Sequence, residues 1–129
     1  MGENGGAADT VWATEVTAER GAPSDARVFL RSVLADRIRE ERLDTATLLA
    51  SELVSNAVLH GTRRRGGTIR VGAWMADERI HIEVTDRGPG FDRDEALTRP
   101  GFGLRLVRDL SAGWGADRRP DGWTVWFEL

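Results

Sequence analysis

The chain has 129 residues, 40% of them hydrophobic and 30% charged. That is the balance of one globular domain large enough to bury a core. Its formal net charge is −3, which argues against a general nucleic-acid-binding surface, and the absence of cysteine excludes disulfides, thiolate chemistry and cysteine-ligated zinc. No apolar run approaches the roughly 20 residues of a membrane helix, and residues 1–10 lack the basic and apolar segments of a signal peptide. All 18 basic residues are arginine, so no lysine can act as Schiff base, general base or phosphate-loop clamp. A GC-rich genome is the plain account of that bias.

Residues 1–10 are glycine-rich and polar and read as a flexible N-terminus, leaving 11–129 as one domain. Trp12 to Thr17 suggest a strand. A first helix is expected from Pro23, capped by Ser24 or Asp25, with Ala26, Phe29, Leu30, Val33 and Leu34 on one face. A second is expected from a cap at Asp44 or Thr45 to His60, ending at Gly61. Arg63-Arg64-Arg65-Gly66-Gly67 reads as a loop. Thr68 to Met75 and Ile80 to Asp86 read as a hairpin. Arg87 to Phe102 reads as loop, Leu104 to Ser111 as a short helix, and Trp114 to Arg118 with Trp123 to Leu129 as a last strand pair. The fold class is therefore α+β: a two-layer sandwich of a mixed, mostly antiparallel sheet of about five strands with about three helices on one face.

The second helix carries two misplaced polar residues. On a helical wheel Leu48, Leu49, Leu53 and Leu59 share an arc, and Glu52 and Asn56 fall inside it, with Thr47, Ser51 and Ser55 opposite. A buried unpaired carboxylate is costly, so a metal, a ligand or a hydrogen-bond network must compensate. A carboxylate and an amide oxygen at i and i+4 can both face one hard cation and its waters; a satisfied core network with His60 is the alternative.

Two glycine clusters follow. Asp86-Arg87-Gly88-Pro89-Gly90 closes a strand; its carboxylate can accept a ligand's hydrogen bond while Gly88 and Gly90 let backbone approach, although a tight turn would show the same pattern. Gly101-Phe102-Gly103-Leu104 opens a helix whose N–H groups can attract phosphate, with Arg105 in its first turn. His81 alternates within a strand and reads as an edge or surface residue. Trp114, Trp123 and Trp126 read as packing residues, with a partner surface as the alternative.

In order, these motifs resemble the nucleotide site of the GHKL ATPase superfamily, also called the Bergerat fold. Glu52-Leu53-Val54-Ser55-Asn56-Ala57 is similar to its N box. Asp86 to Gly90 and Gly101 to Leu104 are similar to its two glycine boxes. Gly122-Trp123-Thr124-Val125-Trp126-Phe127 is similar to its last box, with Thr124 matching the adenine-side threonine. Trp123 departs from relatives, which often carry a small or charged residue there. The short loop from Phe91 to Pro100, the run Val58-Leu59-His60-Gly61 and the lack of a dimerisation or transducer segment resemble the anti-sigma-factor serine kinases.

The resemblance implies roles. Asp86 would accept from the adenine amino group. Asn56 would coordinate Mg²⁺ between phosphate oxygens of ATP. Gly88, Gly90, Gly101, Gly103 and Leu104 would line or hinge the site, and Arg105 would approach phosphate. Glu52 would be the general base for γ-phosphoryl transfer to serine or threonine of a STAS-domain anti-anti-sigma protein, and a sigma factor would be the sequestered partner. An ATP-controlled binding module and a detached histidine-kinase catalytic domain are the alternatives. The lid carries Asp92, Asp94 and Glu95, with Arg93 and Arg99 as its cations, so γ-phosphate would be held loosely if those arginines point away. A cytoplasmic protein without direct nucleic-acid or membrane binding is expected; relatives of this kind often dimerise, so a homodimer is a candidate state.

Overall fold

The computed structural model describes residues 10–61, 67–99, 101 and 103–129. The expected flexible terminus up to residue 9, the loop segment Arg63-Arg64-Arg65-Gly66, Pro100 and Phe102 lie outside the described residues. The chain order is β1 (Thr10–Thr17), α1 (Ala22–Leu34), α2 (Glu40–Asn56) running into a π-helical turn (Ala57–Gly61), then β2 (Thr68–Ala76), β3 (Arg79–Asp86), α3 (Arg93–Thr98), α4 (Leu104–Leu110), β4 (Gly113–Arg119) and β5 (Gly122–Glu128). One sheet has the order β1-β2-β3-β5-β4. Every described pair in it is antiparallel, which agrees with the expected mostly antiparallel sheet of about five strands. The described residues form four α-helices where about three were expected, the added one being short.

Strand alternation sorts the sheet into two faces. Ile69, Val71, Ala73, Ile80, Ile82, Val84, Val125 and Phe127 are buried toward the helices, where they meet Ala26, Leu30 and Leu34 of α1 and Leu43, Leu49, Leu53 and Val54 of α2 in one core. The fully buried Phe127 is the largest of them. Among the described residues no helix is long and apolar enough to cross a membrane.

Three helix boundaries differ from expectation, each for a local reason. α1 starts at Ala22 after Gly21, with Pro23 in its first turn and no side-chain cap from Ser24 or Asp25. α2 starts at Glu40, so Asp44 and Thr45 lie inside it. Glu40 and Glu41 complement the helix dipole there, and Arg31 of α1 reaches Glu40 at 3.2 Å and Asp44 at 2.7 Å. α3 was expected as loop. Asp92 caps it by accepting from Glu95 N–H at 2.9 Å, the Asp-x-x-Glu spacing of a helix start.

The helix wheel drawn for α2 is also corrected. Thr47 is buried and donates to the Leu43 carbonyl at 2.9 Å, whereas Leu48 and Leu59 are exposed. The helix has its N-cap at Arg39 rather than at Asp44 or Thr45, and the longer helix shows its buried face along Leu43, Ala46, Leu49, Ala50 and Leu53. Beyond Ala57 the π turn adds residues per turn, so a 100° wheel no longer places Leu59.

Candidate functional site

The C-terminal end of α2, the π turn and the ends of β3 and β5 enclose a cleft. Leu53, Asn56, Ala57, His60 and Gly61 form one wall, Val84, Asp86 and Val125 the floor, and Gly90, Phe91 and Trp123 the other wall. Its empty space is about 290 Å³, open mouth included, yet it has room for no more than about one water. π turns inside helices recur at functional sites because they re-aim side chains; here the turn brings His60 and Gly61 against the end of β3.

Asp86 is the chemical centre. It is 6% exposed. Its Oδ1 accepts from Gly88 N–H at 2.6 Å. Burial pushes its carboxyl above the ordinary carboxylate range, and the Gly88 N–H and the Arg118 charge pull only partly against that. Close backbone approach explains the flanking glycines. A β-carbon on Gly61 would lie 2.5 Å from Asp86 Oδ2, and one on Gly88 would strike the Gly61 backbone. The three residues thus form a cradle that no side chain can enter.

Asn56 is buried on the same wall, one turn beyond Glu52 on α2. Glu52 packs on Gly103, where a β-carbon would collide with its carboxylate. Gly103 caps α4 in the left-handed conformation, φ 66°, so glycine serves there twice. Leu104 behind it is buried. Gly90 is also left-handed, φ 78°, and lies directly beneath the Trp123 ring. Gly101, φ 94°, has open space around it.

The structure brings Glu52, Asn56, Asp86, Gly88, Gly90 and Gly103 to one end of the molecule. Thr124 is separated from them, which corrects the placement taken from the last box. It pairs with Thr85, and the two hydroxyls share a 2.7 Å hydrogen bond on the sheet face opposite Asp86. Trp123 takes the cleft-side place. Arg105 is not among the residues that line the cleft; its Nε donates to the Leu97 carbonyl at 2.8 Å and ties α4 to α3. The other lid cations are engaged as well. Arg93 lies 4.5 Å over the Trp114 ring, and Arg99 meets Glu95 at 3.4 Å.

Sequence reasoning missed Gly61, Phe91 and Trp123 as site residues. For Trp123 the signal was strand parity: Trp123, Val125 and Phe127 share one face of β5, which sends Thr124 to the other. It also misplaced His81. That residue sits buried on the central strand β3, stacked on Trp74 at 4.6 Å and on Trp126 at 5.5 Å. Its ring nitrogens meet Glu128 at 3.0 Å and Glu83 at 3.1 Å. Trp126 belongs to this outer face, so the three late tryptophans do not form one surface.

A family model described as the histidine kinase-like ATPase domain matches residues 16–129. An anti-sigma F factor of a Thermoanaerobacter species is 36% identical over 93 residues, 67% of this chain and 64% of that protein. An anti-sigma F factor of Clostridium acetobutylicum is 32% identical over 84 residues, 61% of this chain and 59% of that protein. The matched stretches thus span about six tenths of these relatives. A crystal structure of RsbU and RsbW domains from Mycobacterium tuberculosis superposes with a TM-score of 0.72 at 24% identity, over 92% of this chain and 32% of that one, which establishes the shared α+β fold. With the family model covering nearly the whole sheet and both walls of the cleft, the chain belongs to the histidine kinase-like ATPase domain family.

Proposed function

We propose that this protein binds ATP in the Asp86 cleft and acts as an anti-sigma factor with serine/threonine kinase activity toward a STAS-domain anti-anti-sigma protein. The observation that carries the reading is Asp86 itself: a buried carboxylate, held by one backbone N–H, in a cradle of two glycines. Such a group keeps acceptor capacity for a donor that is absent from its own fold. The adenine amino group is such a donor, and a guanine carbonyl at the same place would oppose the carboxylate. The curated relatives named anti-sigma F factors supply the biological class.

Within that reading the residues divide the work. Asn56 offers a buried amide oxygen that would hold Mg²⁺ together with phosphate oxygens, which fits an ion that keeps few protein ligands. The ion would neutralise charge as the phosphoryl group moves. Glu52 would take the proton from the attacking hydroxyl, whose oxygen bonds the γ-phosphorus while the bond to the β-phosphate oxygen breaks. Phosphorylated antagonist would then leave, and the protein would be free to hold the sigma factor.

One observation favours a second reading, an ATP-controlled binding module with slow transfer. Arg93, Arg99 and Arg105 each have a partner within the fold, so γ-phosphate would have to compete for them. The test is label transfer from γ-labelled ATP with Mg²⁺ to a partner captured from source-cell lysate. Acid-stable label from the wild type, absent with an ATP-binding Glu52→Ala variant, supports the kinase. Acid-labile label supports a histidine-kinase domain. Equal results from both proteins, with ATP and partner bound, leave the binding module.

A further inference from the structure

The cleft's narrowness has one evident cause. The six-membered ring of Trp123 lies on Gly90, where a β-carbon would meet it at 2.6 Å. Phe91 meets the same indole edge-on, 5.3 Å between centroids at 66°. Arg118 covers the indole at 5.5 Å and its Nη1 donates to the Gly88 carbonyl at 3.1 Å. Trp123 therefore joins β5, β4 and the 88–91 turn beside Asp86. Against these contacts stands one defect: the indole N–H is buried and has no hydrogen-bond partner among the described residues. A buried donor without an acceptor is a penalty that exposure of the indole N–H to water would relieve.

We propose that Trp123 and Phe91 form an aromatic latch over the base end of the cleft, and that a purine reaches Asp86 only when this pair parts. The inference rests on the reading of the cleft as a nucleotide site. Trp123 is then a positioning residue: it sets how often the Asp86 end is open, and so how fast a base enters. Edge-to-face and cation–π contacts hold the latch shut, and the unpartnered N–H biases it toward release. Because only the open fraction binds, the latch lowers the apparent association rate by that fraction.

Stopped-flow mixing with a fluorescent N-methylanthraniloyl ATP and Mg²⁺ tests this. For the wild type the observed rate should level off with nucleotide concentration, at the rate of latch opening. For Trp123→Thr it should rise linearly and be about tenfold faster at low concentration. Phe91→Ala, which leaves β5 intact, should give the same change and covers the case in which Trp123→Thr fails to fold. Trp123→Phe should retain levelling. Linear kinetics with equal slopes in wild type and Phe91→Ala would overturn the latch while leaving the nucleotide site standing. Equilibrium dialysis separates the two ideas: if neither wild type nor Phe91→Ala takes up nucleotide, the ATP reading falls and the latch with it.

Discussion

Strand β3 carries two carboxylates three residues apart, and they behave in opposite ways. Glu83, on the sheet face away from the helices, is held below the ordinary carboxylate range. Its hydrogen bond to His81 is the main cause, opposed by burial and aided by Arg119. Asp86, on the helix-side face, is pushed up by burial with only a backbone N–H and the Arg118 charge to oppose it. Glu83 belongs to a completed network: Arg119 reaches it at 3.0 Å and Asp117 at 3.1 Å, His81 bridges it to Glu128, and Arg79 lies 4.0 Å from Glu128. Asp86 sits in a cradle shaped by glycines. One strand thus carries a half-buried carboxylate matched within the fold and a more deeply buried one for which we propose a match from outside.

Substituting each carboxylate by its amide should separate the two roles. Asp86→Asn should weaken ATP binding by about 100-fold or more, the ~3 kcal/mol of a charge-assisted hydrogen bond, as measured by calorimetry. Its melting temperature should hold or rise. A carboxyl raised in the folded state stabilises the fold below its ordinary titration range and loses that contribution as pH rises through the raised value, so at neutral pH the ionised Asp86 burdens the fold. A marked drop in melting temperature with ATP binding retained would reverse the assignment.

Gly61→Ala should come next. Its methyl group displaces the Asp86 carboxylate, so nucleotide binding should fall below detection while overpacking costs about 2 kcal/mol of stability. Normal ATP affinity in this variant would mean that the cradle is not used.

Glu83→Gln should show the opposite pattern, with ATP affinity unchanged within twofold and about 2 kcal/mol of stability lost with its charged hydrogen bonds. Chemical denaturation with and without ATP separates the two quantities.

The smallest effect is one of pH. Burial works against the His81 charge, but its hydrogen bonds to Glu83 and Glu128 outweigh it and raise its titration. His81 therefore stabilises the fold fully below its ordinary value of 6.5 and loses this as pH rises through the raised value. Glu83 contributes above its ordinary 4.5 and loses this as pH falls through its lowered value. Stability should form a plateau between the two limits, and His81→Gln should remove its alkaline edge. An alkaline edge that persists in His81→Gln would assign it to another group.

The layers of the fold were legible because alternation and helical spacing act over whole elements. The strands of the β2–β3 hairpin were placed within a few residues, and α1 and α2 pack as a layer on the sheet. Starts without a side-chain cap were not legible: α2 begins at Arg39-Glu40, where a tether to Arg31 from another helix does the work. In the site, Glu52 and Asn56 stood out because the wheel set them among leucines, of which Leu48 and Leu59 are exposed and Glu52 itself is half-buried; Asp86 stood out because it ends a strand just before two glycines. Thr124 misled because a motif match ignores which way a strand points its residues. His81 was missed because its partners Glu128, Trp126 and Trp74 are brought to it only by sheet pairing.

An adenine-nucleotide site at Asp86 has a direct calorimetric signature. Calorimetric titration of the wild type and of Asp86→Asn with ATP, and with GTP, in the presence of Mg²⁺ tests it most directly. The wild type should bind one ATP per chain with clear preference over GTP, and a folded Asp86→Asn protein should bind ATP about 100-fold or more weakly. Equal ATP binding by both proteins, or equal affinity of the wild type for ATP and GTP, would contradict it.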